Sequence, residues 1–321
     1  MSIHVSADNF VRAETDRMFA DLQRDAGGVN VFSHNRTPAA VDHQTVIRLN
    51  RDTLYSFAVV DLAGGATLTI PGHGIRYLSA MIVNNDHYIN AIYHEAGTYE
   101  LTVADHGTRY VLAAVRIFAD PNDRADLAEV AALQDQLRLT AASATPFASP
   151  DYDPKSLDAT RDALLALVAQ STDLTRTFGR PDQVDPVRHL MGTAAGWGGL
   201  PSTEAVYVAA APQEPGNHEL TLADVPVDGF WSVSVYNAKG FFEPNTRNLY
   251  SVNNVTAKPG GGGSVTVRFG DYPEDIPNAI PAPEGWNILV RLYRPRPQIL
   301  DGTWQLPKLK PAGTAAASDT T

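Results

Sequence analysis

The chain has 321 residues, of which 44% are hydrophobic and 19% charged, and this composition is typical of a globular protein. Its formal net charge of −11 argues against nucleic acid as a partner, because an acidic surface repels phosphates. The chain contains no cysteine, which excludes disulfides, thiolate metal sites and cysteine nucleophiles.

The amino-terminal sequence has neither the basic region nor the apolar region of a signal peptide. No stretch approaches the roughly 18 uncharged apolar residues that a membrane span needs. From these two patterns we expect a cytoplasmic protein that has no membrane partner.

The first predicted element is an amphipathic helix over residues 8–26, which Gly27 and Gly28 end. Short β-type runs follow it, with turns rich in glycine, proline, asparagine and aspartate between them. The runs are 57–62, 66–70, 77–83, 87–93, 98–103 and 109–118. Short strands at this spacing are typical of a sandwich or barrel.

The middle of the chain is predicted to be helical. One helix is expected to begin after Asn122 or Asp123 and to continue to about residue 142. A second is expected over 156–178, and a shorter helical piece over 186–194.

From about residue 204 the pattern is again that of strands. Residues 230–236 and 265–269 alternate with a period of two, and Gly260–Gly263 are expected to form a hairpin tip. A final strand near 286–293 would direct alternate apolar side chains into a core. These are Trp286, Ile288, Val290 and Leu292.

The pattern as a whole predicts a mainly β protein with helical insertions (α+β), in which a helical segment links two β-sandwich or jelly-roll-like domains. We expect an N-terminal β domain at 1–120, a helical connection at 121–200 and a C-terminal sandwich at 201–311. The small and polar residues 312–321 are expected to form a disordered tail.

Several polar residues are concentrated just before the first long apolar strand, in the sequence Asn50-Arg51-Asp52-Thr53-Leu54-Tyr55. Buried polar groups need partners, so this segment is a candidate for the floor of a site. The alternative is a loop-to-strand corner in which Asp52 or Thr53 accepts hydrogen bonds from backbone amides.

His87 is the candidate general base, since a carboxylate beside an imidazole fixes its tautomer and raises its basicity. Its neighbour Asp86 points the opposite way on a strand, so Asp52 would have to serve as the orienting carboxylate or as a metal ligand. Tyr55 is the candidate proton donor. No pair of histidines has clean metal-ligand spacing, and the metal ligands stay unassigned.

The final strand places Arg291 and Tyr293 on the face opposite its apolar residues. Arg291 is a candidate clamp for a substrate carboxylate, and a structural or interface ion pair is the alternative. Asn50, Arg51, Arg291 and Tyr293 together form the candidate substrate-binding set.

These motifs resemble the paired DUF1254 and DUF1214 family of bacterial proteins of unknown function. The first domain is matched by residues 50–56 and by Asn85-Asp86-His87-Tyr88. The second is matched by 230–236, by Arg291-Leu292-Tyr293-Arg294-Pro295 and by Asp301-Gly302-Thr303-Trp304. The resemblance implies two mainly β domains with helices between or around them.

The leading hypothesis is an enzyme, a hydrolase or a lyase, that acts on a small polar or carboxylated organic molecule. Its site is expected where the two β domains meet. A divalent metal is compatible with this chemistry, and no nucleotide or flavin fingerprint is found in the sequence. The alternatives are a non-catalytic module that binds carbohydrate or another small ligand, and a structural homo-oligomer.

Overall fold

A computed structural model describes residues 2–44, 47–171 and 175–312. The protein is mainly β, with helices added, in an α+β arrangement. It has two compact units. The first is formed by Met1–Thr37, Thr53–Ala119 and Asp123–Ser202, and the second by Pro38–Asp52, Asp120–Asn122 and Thr203–Thr321.

The first unit contains eight strands and five helices within the described residues. The strands are β1 (Ser33–His34), β2 (Thr53–Asp61), β3 (Ala66–Ile70), β4 (Leu78–Asn84), β5 (Ile89–Tyr93), β6 (Gly97–Leu101), β7 (Tyr110–Phe118) and β8 (Arg138–Ala141). The helices are α1 (Phe10–Ala26), α2 (Val103–His106), α3 (Arg124–Gln134), α4 (Pro154–Val168) and α5 (Pro186–Gly196).

A hydrophobic core lies between two sheets of this unit. The larger sheet has the order β1-β2-β7-β4-β5 and the smaller has the order β6-β3-β8. Alternate residues of the long strands, such as Val60, Ile82 and Val115, are fully buried in this core. A separate apolar cluster joins α1, α4 and α5.

Side-chain caps fix where three of these helices begin. Asp123, Asp153 and Asp185 each accept a hydrogen bond from a backbone N–H in the first turn of α3, α4 and α5. At its C-terminal end, α1 stops at Gly27, whose φ of 78° is the left-handed conformation that glycine adopts at little cost.

The second unit contains eight strands and one α-helix within the described residues. The strands are β9 (Ala205–Ala210), β10 (His218–Leu222), β11 (Trp231–Tyr236), β12 (Ser251–Asn253), β13 (Val265–Phe269), β14 (Ala279–Ile280), β15 (Asn287–Tyr293) and β16 (Lys310–Pro311). The helix is α6 (Pro297–Leu300).

The two sheets of this unit form a sandwich around a common core. Their orders are β12-β11-β15-β9 and β14-β13-β10-β16. Val233, Val267 and Val290 are fully buried between them. On the other face of the β12-β11-β15-β9 sheet, Tyr236 and Leu289 pack with residues of the segment 38–52, including Leu49. The polar segment at 50–52 therefore belongs to the second unit.

Most of the predicted strands are confirmed, as are α1 and the core face of β15. The helix predicted to residue 142 is wrong beyond Gln134, because Arg138–Ala141 pair with β3 as β8. The helix predicted over 156–178 is wrong at its C-terminal end, since α4 ends at Val168.

The glycine run 260–263 is not a hairpin tip, because β12 and β13 belong to different sheets. His87 lies in a turn with a φ of 60°, so the strand predicted over 87–93 starts only at Ile89. The predicted disordered tail lies, apart from Ala312, outside the described residues.

Candidate functional site

The carboxylate of Asp52 is completely buried in the second unit. Its Oδ1 accepts hydrogen bonds from Ser251 Oγ at 2.9 Å and from Asn253 Nδ2 at 3.3 Å. Its Oδ2 has no hydrogen-bond partner within the described residues. The Asp52 carboxylate is therefore bonded by side chains, and not by backbone amides as in the alternative of a loop-to-strand corner.

Strand β12 places the two partners of Asp52. Ser251 and Asn253 alternate with Val252, which packs into the sandwich core, so both polar side chains are directed to the opposite face. Asn253 is also held by the backbone, because its Oδ1 accepts bonds from the N–H groups of Val255 and Thr256. This fixes its amide orientation and leaves Nδ2 to donate to Asp52.

Ser251 and Asn253 also line a cavity of about 350 Å³. This volume lies within the usual range for pockets that bind small organic molecules. The lining carries both signs of charge. Its charged residues are Asp120, Arg247, Lys258, Glu274 and Asp275.

Arg247 is the cation in this lining that has a buried hydrogen-bond donor not used by the described residues. Its Nη2 reaches the carbonyl oxygen of Glu274 at 3.5 Å, while Nη1 is buried and has no hydrogen-bond partner in the described part of the chain. A buried guanidinium nitrogen without a partner is costly, and an anionic ligand would satisfy it.

Arg291, the predicted anion clamp, is fully engaged with its own unit. It donates from Nη1 to Ser234 Oγ at 2.9 Å, and from Nη2 to Tyr236 Oη at 2.8 Å and to the carbonyl oxygen of Arg48 at 2.7 Å. Burial alone lowers the pKa of Arg291, but the oxygens of Tyr236 and Tyr293 and the Asp52 carboxylate outweigh it and raise that pKa. These contacts hold segment 38–52 against the sheet.

The other predicted binding residues of this unit also make internal contacts. Asn50 accepts a bond from the backbone N–H of Asp52 through Oδ1, and its Nδ2 donates to Tyr293 Oη at 3.0 Å. Arg51 donates to the carbonyl oxygen of Ala39, and its guanidinium lies 5.3 Å from the centre of the Tyr250 ring. Burial lowers the pKa of Arg51.

His87, the predicted base, lies in the first unit and is fully buried. Its Nε2 accepts a bond from the backbone N–H of Gly198 at 2.8 Å, so the ring proton is on Nδ1, which donates to Thr193 Oγ1 at 2.8 Å. Its ring stacks on Trp197 at 5.3 Å. Burial holds the pKa of His87 well below its usual value, and the nearby His189 lowers it further. Both nitrogens are thus occupied in a neutral ring.

Tyr55 also lies in the first unit, on β2, with the guanidinium of Arg116 5.4 Å from its ring centre. Arg116 in turn donates to the carbonyl oxygen of Gly198 at 2.7 Å, next to the amide that His87 accepts from. The predicted site residues therefore fall into two sets. Tyr55 and His87 belong to the first unit, and Asn50, Arg51, Asp52, Arg291 and Tyr293 to the second.

Sequence reasoning missed Ser251, Asn253 and the position of Arg247 in the cavity. The available signal was the single polar-apolar-polar alternation of residues 251–253, which is short and has no distinctive spacing. Among the described residues, no group of three or more histidine, aspartate or glutamate side chains is arranged to hold a metal ion.

Comparison with known proteins identifies the class of this chain. A model for a protein of unknown function (DUF1254) matches residues 29–141, and a model for a second protein of unknown function (DUF1214) matches residues 210–297. The chain belongs to the two-domain family that combines them. No curated protein matches it.

Two solved structures share the fold. The VPA0106 protein of Vibrio parahaemolyticus is 18% identical, with a TM-score of 0.74 over 95% of this chain and 98% of that chain. An uncharacterised protein of Burkholderia cenocepacia is 15% identical, with a TM-score of 0.50 over 89% of this chain and 84% of that one. No helix in the described part of the chain is long and apolar enough to cross a membrane.

Proposed function

We propose that this protein is a hydrolase that acts on a small carboxylated organic molecule in the cavity of the second unit. The observation that carries the proposal is the hydrogen bond, at 2.9 Å, from the Oγ of Ser251, which lines that cavity, to the buried carboxylate of Asp52. A serine hydroxyl becomes a nucleophile when an adjacent base takes its proton.

In the proposed reaction, Ser251 Oγ attacks the carbonyl carbon of an ester while its proton passes to Asp52 Oδ1. The C–O bond to the leaving group then breaks, and the leaving alcohol takes this proton. Water next attacks the acyl-serine, and Asp52 again receives and returns one proton. Asn253, bonded to the same carboxylate oxygen, keeps the Asp52 carboxylate in place.

The charge of the substrate follows from the cations of the lining. Arg247 Nη1 is buried and has no hydrogen-bond partner among the described residues, and Lys258 lines the same cavity. Together they favour a carboxylate on the substrate. The acidic residues Glu274 and Asp275, which also line the cavity, favour a small, singly charged group over a polyanion.

The test is hydrolysis of a chromogenic half-ester, such as the mono-4-nitrophenyl ester of succinate, compared with neutral 4-nitrophenyl acetate. We expect turnover above the spontaneous rate, with a preference for the charged ester. Ser251→Ala and Asp52→Asn should each lower kcat by about a thousandfold or more, since nucleophile and base act as a unit. Arg247→Gln should raise KM for the charged ester only.

Two substitutions serve as matched controls in the same unit. Ser264→Ala removes a hydroxyl that bonds the carbonyl oxygen of Gly261, and Arg296→Gln removes an exposed partner of Asp228. Neither should change the kinetics. Equal rates for Ser251→Ala and the wild type would contradict the proposal. Binding of the charged ester without turnover, lost in Arg247→Gln, would instead indicate a non-catalytic binding protein.

A further inference from the structure

Arg116, in the first unit, is a buried cation without an acidic partner among the residues that the structure describes. The residue is only 8% exposed to solvent. Its hydrogen bonds go to the carbonyl oxygen of Gly198 at 2.7 Å and, weakly, to the sulfur of Met81 at 4.0 Å. Over the described ranges, no carboxylate forms a hydrogen bond or an ion pair with it. Burying a charge without a counter-charge is unfavourable, so the position needs an explanation.

A second polar group without a partner lies beside this arginine. Ser79 is directly opposite Arg116 in the pairing of β4 with β7, and Tyr55 is directly opposite it in the pairing of β2 with β7. Residues opposite each other in antiparallel strands have side chains on the same face, about 4.5–5.5 Å apart at Cβ. Ser79 is fully buried, and its Oγ has no hydrogen-bond partner within the described residues.

The row Tyr55, Arg116 and Ser79 thus places side by side an aromatic ring, a cation and a hydroxyl that bonds no other described residue. The central carbon of the guanidinium lies over the Tyr55 ring, 5.4 Å from its centre. A guanidinium has five N–H donors, and the bonds to Gly198 and Met81 use two of them. A guanidinium edge matches the two oxygens of a carboxylate, and a hydroxyl adds one more donor. Tyr55 is only partly buried, so the row has a side that is accessible to solvent.

We propose that Arg116 and Ser79 bind the carboxylate group of a small organic acid in the first unit. One positive charge and one hydroxyl suit a singly charged anion. The proposal uses other residues than the cavity of the second unit, and it does not depend on the proposed hydrolase activity.

The test is thermal unfolding of the full chain in increasing sodium acetate, against sodium chloride at matched ionic strength. The wild type should show a saturable rise in its unfolding temperature with acetate that chloride does not reproduce. Arg116→Met should lose this rise. Ser79→Ala removes a hydroxyl that bonds no other described residue, so this variant should fold normally. It should need a several-fold higher acetate concentration for half the effect.

Arg124→Met, which removes an exposed arginine of the same unit, is the matched control and should keep the full response. Three outcomes would each overturn the proposal. They are an acetate effect no greater than that of chloride, an equal acetate effect in Arg116→Met, and an unchanged half-effect concentration in Ser79→Ala.

Discussion

Burial disfavours the charged form of three histidines in the first unit. The pKa values of His34, His87 and His106 are all lowered, in each case mainly because the charged ring is desolvated. The shift of the His106 pKa is the simplest to interpret, because both ring nitrogens are buried and have no hydrogen-bond partner in the described chain.

These shifts predict a loss of stability in mild acid. A histidine whose folded pKa is lowered binds protons more readily in the unfolded chain, so its contribution is present above the unfolded pKa of about 6.5 and is lost as the pH falls below it. The free energy of unfolding, measured in urea at pH 7, 6 and 5, should therefore decrease towards pH 5.

Replacing His106 separates this effect from general acid sensitivity. His106→Leu should decrease less in stability between pH 7 and pH 5 than the wild type, because it removes one of the titrating groups. His4→Leu, at an exposed position, should follow the wild type. A pH dependence in His106→Leu as steep as that of the wild type would contradict this assignment.

At the scale of elements, helix α5 provides the packing around His87. Thr193 Oγ1 of α5 accepts a hydrogen bond from His87 Nδ1–H, and the Thr193 hydroxyl donates to the carbonyl oxygen of His189 one turn earlier. Asp185 immediately precedes the helix, and its carboxylate accepts bonds from the N–H groups of Val187 and Arg188. This cap satisfies two of the donors that a helix start leaves unpaired.

Removing the cap of α5 should have a measurable cost. Asp185→Ala should lower the free energy of unfolding by about 1 kcal/mol, the usual loss for an N-terminal cap. Asp182→Ala, three residues earlier, removes an exposed carboxylate that pairs with Arg180 and caps no helix, and it should change stability by less than about 0.5 kcal/mol. Equal effects of the two substitutions in a urea unfolding experiment would show that the cap contributes nothing.

Strands with a strict period of two could be predicted closely from the sequence. The runs 66–70 and 265–269 match β3 and β13 at both ends, because each alternates apolar and polar residues between clear turns. The segment 135–142 could not be assigned in this way. Its apolar residues fit a helix as well as a strand, and only its pairing with the distant β3 decides in favour of β8.

At the scale of the whole molecule, the chain crosses between its two units more than once. Residues 38–52 and 120–122 belong to the second unit, although the sequence around them forms the first. Local sequence patterns carry no information about such crossings, because they depend on contacts across about 200 positions, such as that of Asp52 with Ser251. Asp52 could be selected from the sequence as a candidate, but its partners could not.

The measurement that tests the proposed site most directly is covalent labelling with a serine-reactive fluorophosphonate, followed by peptide mass spectrometry. Such reagents modify a serine whose proton is taken by a neighbouring base. We predict a single adduct on Ser251, at a rate that Asp52→Asn lowers strongly and Ser264→Ala leaves unchanged. No adduct on Ser251, or an equal rate in Asp52→Asn, would contradict the assignment of Ser251 and Asp52 as nucleophile and base.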